Sequence, residues 1–212
     1  MPDDYQINDQ EGLYYLTFQV VDWIDIFTRQ VYRDIVIESL KYAIENKGFN
    51  VFAFVIMSNH LHLIAQSSTG KLSDTIRDIK KFTSKQIIHT ILTIPESRKD
   101  WMLNRFEFNA KQHLRNKTYQ FWTHENHAVY LYSPEFIREK FDYLHNNPVR
   151  AGLVEKPEEY LYSNARYYAG LDCVLKITVL VCHGGLYDMV VKDYNLSEAK
   201  LQTSLSGGFV SV

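Results

Sequence analysis

The tripeptide His60-Leu61-His62 lies in an apolar stretch, and in a strand alternate side chains share a face. Both imidazoles then point the same way, with backbone positions roughly 6.6 Å apart, while Leu61 faces the core. Two imidazoles so placed can reach one divalent ion; the other reading of the pair is a polar, hydrogen-bonded outer face. A second pattern is Phe141-Asp-Tyr-Leu-His-Asn-Asn-Pro-Val-Arg-Ala-Gly-Leu-Val154. On a helix, Tyr143 and Asn147 share one face and can present a hydroxyl and an amide oxygen to a single site. A tyrosine so presented is a possible nucleophile, or a core aromatic in a chain that holds 15 tyrosines.

The elements that must position these residues are readable from period and punctuation. Leu13 to Val21 is rich in aromatic and β-branched residues and predicts a strand. Asp34 to Lys47 predicts a helix, with Asp34 as cap and Gly48 as stop. Phe49 to Met57 and His60 to Gln66 predict two strands of an antiparallel hairpin turning at Ser58-Asn59. Ser73 to Leu92 predicts a helix capped by Ser73 and ended by Pro95. Glu96 to Lys117 shows no clear period. Ala128 to Tyr132 predicts a fourth strand, and Ser133-Pro134-Glu135 opens a helix expected to stop near Asn146, because Pro148 cannot continue it. Strand, helix, strand, strand, helix, strand, helix implies an α+β, ferredoxin-like sandwich with a mainly antiparallel sheet and helices on one face. Val174 to Val181 is a candidate further strand.

Taken together, Val55-Ile-Met-Ser-Asn-His-Leu-His-Leu-Ile64, Tyr143-Leu-His-Asn-Asn-Pro-Val-Arg-Ala-Gly-Leu-Val154 and Tyr162-Ser-Asn-Ala-Arg-Tyr-Tyr168 resemble the REP-associated tyrosine transposases. These are single-tyrosine members of the HUH endonuclease superfamily. The resemblance runs from about residue 13 to 182, with Tyr119-Gln-Phe-Trp122 also similar, and departs from many relatives at Ser58, where they carry proline. It implies His60, His62 and Asn147 as metal ligands, Mg²⁺ or Mn²⁺ as the ion, and Tyr143 as the nucleophile that forms a 5′-phosphotyrosine. It implies single-stranded DNA with a hairpin as partner, handled by a monomer or homodimer. Residues 1–182 form the expected transposase-like domain, and 183–212 a C-terminal tail matching nothing familiar.

The chain carries a net charge of -2, yet Arg77 to Lys117 holds ten basic residues against four acids. That stretch is either a solvated helix face or a track for phosphates, with Arg77, Lys80, Lys81 and Lys85 as the contacts. Arg150 is a further candidate contact, or else a structural ion pair. His124 and His127 are expected on opposite faces of their segment, in substrate contact or packing, and His145 projects away from Tyr143. Cys173 and Cys182 cannot build a disulfide framework or a cysteine zinc site. The longest apolar run, Val51 to Met57, is too short to span a bilayer, and the acidic start lacks signal-peptide character, so a cytoplasmic protein without membrane contact is expected. Two other classes compete: a non-catalytic single-strand-binding module of the same fold, and a metal-dependent phosphodiesterase in which water attacks.

Overall fold

A computed structural model describes residues 6–112, 118–183 and 186–188. Strand β1 spans Tyr14–Gln19, helix α1 Gln30–Lys47, strand β2 Phe49–Ile56 and strand β3 His60–Ser67. Helices α2 (Leu72–Thr93) and α3 (Lys99–Lys111) follow, then the short strand β4 (Val129–Tyr130) and helix α4 (Pro134–Arg150). A single turn, α5 (Ala165–Tyr168), and a two-stranded ribbon, β5 (Val181–His183) with β6 (Leu186–Asp188), complete the described chain. The strand order is β2-β3-β1-β4 and every neighbouring pair is antiparallel, which is the ferredoxin-like arrangement.

Alternation along the strands builds two cores. On one face Tyr14, Leu16 and Phe18 of β1 and Leu61, Leu63 and Ala65 of β3 pack against Val36, Leu40, Ile76, Ile79 and Ile87 of α1 and α2. On the other, Leu13, Tyr15, Ala53, Val55 and Ile64 pack against Ile137 and Leu144 of α4. Each fully buried large side chain contributes about 1.5–3 kcal/mol. The expectation of helices on one face therefore holds for α1 and α2 but not for α4. The second face of the sheet is as apolar as the first and needs its own cover, and that places α4 on the side to which His60 and His62 point.

The free edge of β2 is closed by the Tyr162-Ser-Asn segment. Asn164 Oδ1 accepts from Phe54 N (2.8 Å), Asn164 Nδ2 donates to Phe52 O (2.9 Å), and Ile56 N donates to Tyr162 O (2.9 Å). The edge is thereby denied to another chain.

Several boundaries differ from those read in the sequence. Helix α1 begins four residues before Asp34, whose carboxylate instead accepts from the Tyr162 hydroxyl. Ser73 lies inside α2 rather than capping it; Gln10 Oε1, distant in sequence, accepts from Ser73 N at 2.9 Å. Helix α3 forms where no period was evident, buried through Met102, Phe106 and Ala110 alone. Helix α4 has the expected Ser133 cap, with Ser133 Oγ accepting from Phe136 N, but runs through Pro148 to Arg150. A proline there forfeits one main-chain bond and is itself buried. The helix closes four residues later, where Gly152, at φ 69°, donates to Val149 O and Leu153 N donates to Pro148 O, a glycine-terminated Schellman end. The ribbon β5–β6 crosses the expected boundary at residue 182. Arg115, Lys117 and most of the tail lie outside the described residues. Among those described, no helix is long and apolar enough to cross a membrane.

Candidate active site

His60 and His62 share the α4 face of β3 as the spacing predicts, with ring centroids 4.6 Å apart. Each is fixed through Nδ1. His60 Nδ1 lies 2.6 Å from Asn59 Oδ1, and His62 Nδ1 lies 2.9 Å from Thr17 Oγ1, the residue directly opposite on β1. The Asn59 amide is oriented by its own Nδ2, which donates to Trp23 O at 3.3 Å, so Oδ1 is the end that meets His60 and accepts its Nδ1 proton. The Nε2 lone pair is then left for a ligand, the arrangement that second-shell partners of metal-binding histidines produce. Burial pushes the His60 imidazole down to about 4. Burial, with a smaller push from His60, takes His62 to about 3. Both are therefore neutral at physiological pH, the state a metal requires.

Helix α4 carries Tyr143, Asn147 and Arg150 along one stripe at i, i+4 and i+7. The Tyr143 ring sits 6.1 Å from the His62 ring, and the residue is 40% exposed. Arg150 Cζ stands 4.6 Å from the centre of the Tyr143 ring, so the guanidinium caps that ring, and among the described residues Arg150 makes no ion pair. Asn147 Nδ2 donates to Tyr143 O at 3.0 Å, which leaves Oδ1 as the atom a metal would meet. Among the described residues no group of three or more His, Cys, Asp or Glu forms. Two neutral imidazoles, were they joined by an amide oxygen and water, would suit a hard divalent ion that keeps open positions.

Tyr15 completes the floor. Its ring lies 5.2 Å from His62 and 6.3 Å from Tyr143. Its hydroxyl is buried and makes no hydrogen bond of normal geometry among the described residues. Burial and the nearby Tyr143 oxygen push this phenol upward, tempered by Thr17 and Arg150. Tyr15, Thr17 and Trp23 carry no motif of their own in the sequence, and Asn59 shows there only as turn chemistry and as part of the stretch around His60 and His62. Only the β1–β3 register, opposing Thr17 to His62, brings Thr17 in.

The basic residues of α2 line a groove of about 600 Å³ against residues 119–126, on the α2 side of the sheet. Arg77, Lys81 and Lys85 are exposed there, Arg77 also pairing with Asp74 at 2.6 Å. Lys80 points inward: Nζ donates to Thr123 O (2.8 Å), Asn126 Oδ1 (2.8 Å) and Glu125 O (3.3 Å), and burial pulls its pKa to about 8. All three of its donors hold the groove wall. His124 lines the same groove, and His127, at φ 38°, places Nε2 3.6 Å from Glu125 Oε2. His145 faces away from Tyr143 as expected, buried with Nε2 2.9 Å from Asn164 Oδ1.

Comparison with known proteins agrees with this architecture. The family model described as "Transposase IS200 like" matches residues 13–128, more than half of the 212 residues. The solved structure titled "Structure of the REP associates tyrosine transposase bound to a REP hairpin" superposes with a TM-score of 0.55 at 16% identity, covering 90% of this chain and 99% of that one. At that identity the likeness is one of fold. No curated protein matches significantly by sequence.

Proposed function

The chain belongs to the IS200-like transposase family, and we propose that it cleaves and rejoins single-stranded DNA through a covalent bond to Tyr143. The observation that carries this reading is the exposed Tyr143 hydroxyl-bearing ring beside two neutral imidazoles, 6.1 Å from His62, beneath a guanidinium. A binding module has no need of that convergence.

His60 and His62 through Nε2, with Asn147 Oδ1, are the residues that would hold Mg²⁺ or Mn²⁺. Such an ion supplies charge neutralisation at the scissile phosphate and the departing oxygen. Tyr143 Oη attacks phosphorus in line; its bond to phosphorus forms as the bond to the 3′ oxygen breaks. The phenolic proton passes to water, which reaches this half-exposed side chain, and the 3′ oxygen takes a proton from water. Arg150 favours the attacking oxygen as it gains charge and pairs with the phosphate. The Tyr15 hydroxyl, which makes no hydrogen bond of normal geometry among the described residues, is a donor for a phosphate oxygen. The phosphotyrosine conserves the phosphodiester energy, so attack by another 3′-hydroxyl rejoins DNA without a nucleotide cofactor. Arg77, Lys81 and Lys85 supply phosphate contacts to a hairpin on the α2 side, with Lys80 stiffening the wall behind them.

The test is incubation with hairpin-bearing single-stranded DNA, with and without Mn²⁺, followed by denaturing electrophoresis. The parent yields a protein–DNA adduct that EDTA abolishes, and Tyr143→Phe yields none while binding DNA as tightly. Cleavage without an adduct would instead mean attack by water, and binding without cleavage a non-catalytic module.

A further inference from the structure

Trp23 is 60% exposed, although burying an indole is worth about 2–3 kcal/mol. It is also held in an unusual backbone. Asp22 and Trp23 have φ of 54° and 55°, consecutive left-handed residues neither of which is glycine. Such conformations cost about 1–3 kcal/mol each and persist only where surrounding contacts enforce them. The contacts are specific: the Asp22 carboxylate is gripped by Arg105 (2.6 Å) and Asn109 (2.8 Å) of α3, and Trp23 O accepts from Asn59 Nδ2 (3.3 Å).

That last bond ties Trp23 to the site. The same Asn59 amide that holds the Trp23 backbone also holds the His60 ring, through Oδ1 at 2.6 Å. The indole stands edge-on to His60 with centroids 6.2 Å apart. The rings thus run Trp23, His60, His62, Tyr143, with the nucleophile at one end and an exposed indole at the other. A side chain kept out of the core at a conformational cost, and indexed to the histidines by one shared amide, has the properties of a binding surface. A flat apolar face beside a phosphate-handling centre suits a nucleobase, because every base offers a π-face to an aromatic ring.

We propose that Trp23 is a stacking platform for an unpaired nucleobase flanking the scissile phosphate. This rests on the reading of His60, His62 and Tyr143 as the cleavage site. Stacking there fixes the strand's path across the histidines and sets which phosphate lies before Tyr143.

The test measures binding apart from chemistry. In the Tyr143→Phe background, Trp23→Ala is expected to weaken binding of a hairpin-bearing single strand by about 10-fold, within the range for loss of one base stack, and Trp23→Phe to restore most of it. An abasic site scanned through the nucleotides flanking the cleaved bond is expected to weaken Trp23-bearing protein at one position by a similar factor, and to leave Trp23→Ala unaffected there. Thermal melts accompany each variant, and Trp23→Phe, which keeps a ring, serves if the alanine variant does not fold. Equal binding of intact and abasic strands by both the Trp23 and Phe proteins overturns the proposal, as does a Trp23→Ala effect confined to self-association. Absence of a covalent adduct with the parent overturns the cleavage reading instead, a separate readout.

Discussion

Thr17 Oγ1 lies 2.9 Å from His62 Nδ1, across a rung of the sheet where the two residues stand directly opposite. When the hydroxyl accepts, His62 carries its proton on Nδ1 and directs the Nε2 lone pair into the site. Loss of such a partner typically lowers metal affinity by about 10- to 100-fold. Thr17→Val keeps the side-chain shape and removes the hydroxyl. Mn²⁺ affinity, read by calorimetry, should fall within that range, and cleavage at limiting Mn²⁺ should fall with it. Unchanged affinity would show that the tautomer is set otherwise.

Asn147 is positioned by a helix that does not stop where its proline suggests. Because α4 continues through Pro148 to Arg150, Asn147 remains one regular turn beyond Tyr143, with Nδ2 tethered to Tyr143 O at 3.0 Å and Oδ1 left over. Asn147→Ala should therefore weaken Mn²⁺ binding and slow cleavage, with partial rescue at high Mn²⁺. A lowered melting temperature with unaltered metal affinity would reduce the residue to a helix-end contact.

How far the sequence shows this site depends on whether the determining interaction is local. His60 and His62 share a face because strands have period two, and Tyr143 and Asn147 because helices have period 3.6; both are visible without a fold. The continuation of α4 past Pro148 is not, since local rules count the lost main-chain bond but not the burial of the ring or the Gly152 closure. Helix α3 escapes for a related reason, its buried stripe being only three residues in a polar segment. Lys80 reads as one more cation of a basic run until Thr123, Glu125 and Asn126 are seen to converge on it from 43 to 46 positions away. Thr17 and Trp23 are brought to the histidines only through contacts to β3 and Asn59, which no spacing displays.

Glu96 anchors the loop between α2 and α3 to α1. Its side chain is 2% exposed; Oε2 accepts from Arg29 (2.7 Å) and the Tyr32 hydroxyl (3.0 Å), and Oε1 from Arg98 N (3.2 Å). Burial alone would raise this carboxyl, but the bonds from Arg29, Arg98 N and Tyr32 outweigh it and hold it below the ordinary 4.5. The folded state then binds fewer protons than the unfolded chain as the pH falls through and below 4.5, so the contribution is complete above that value and lost beneath it. Glu96→Gln should cost about 1–3 kcal/mol at neutral pH. In melts against pH, the gap between parent and variant should close as pH drops below 4.5; a gap that stays constant would contradict the charge-based account.

Tyr15 separates stability from function. A buried hydroxyl with no hydrogen bond of normal geometry among the described residues costs about 1–3 kcal/mol in desolvation and returns little to the free protein. Tyr15→Phe removes that oxygen and keeps the ring that packs 5.2 Å from His62 and 6.3 Å from Tyr143. The variant should melt at the parent temperature or above it. If the hydroxyl is instead satisfied by a scissile phosphate oxygen during the reaction, its loss removes one oriented donor, and single-turnover cleavage should slow by about 10- to 100-fold with Mn²⁺ affinity unchanged. A destabilised Tyr15→Phe that cleaves at the parental rate would show that the oxygen belongs to the fold. A stable variant that cleaves slowly would place it on the substrate, because only a partner absent from the free protein can make an atom dispensable to folding and necessary to the reaction.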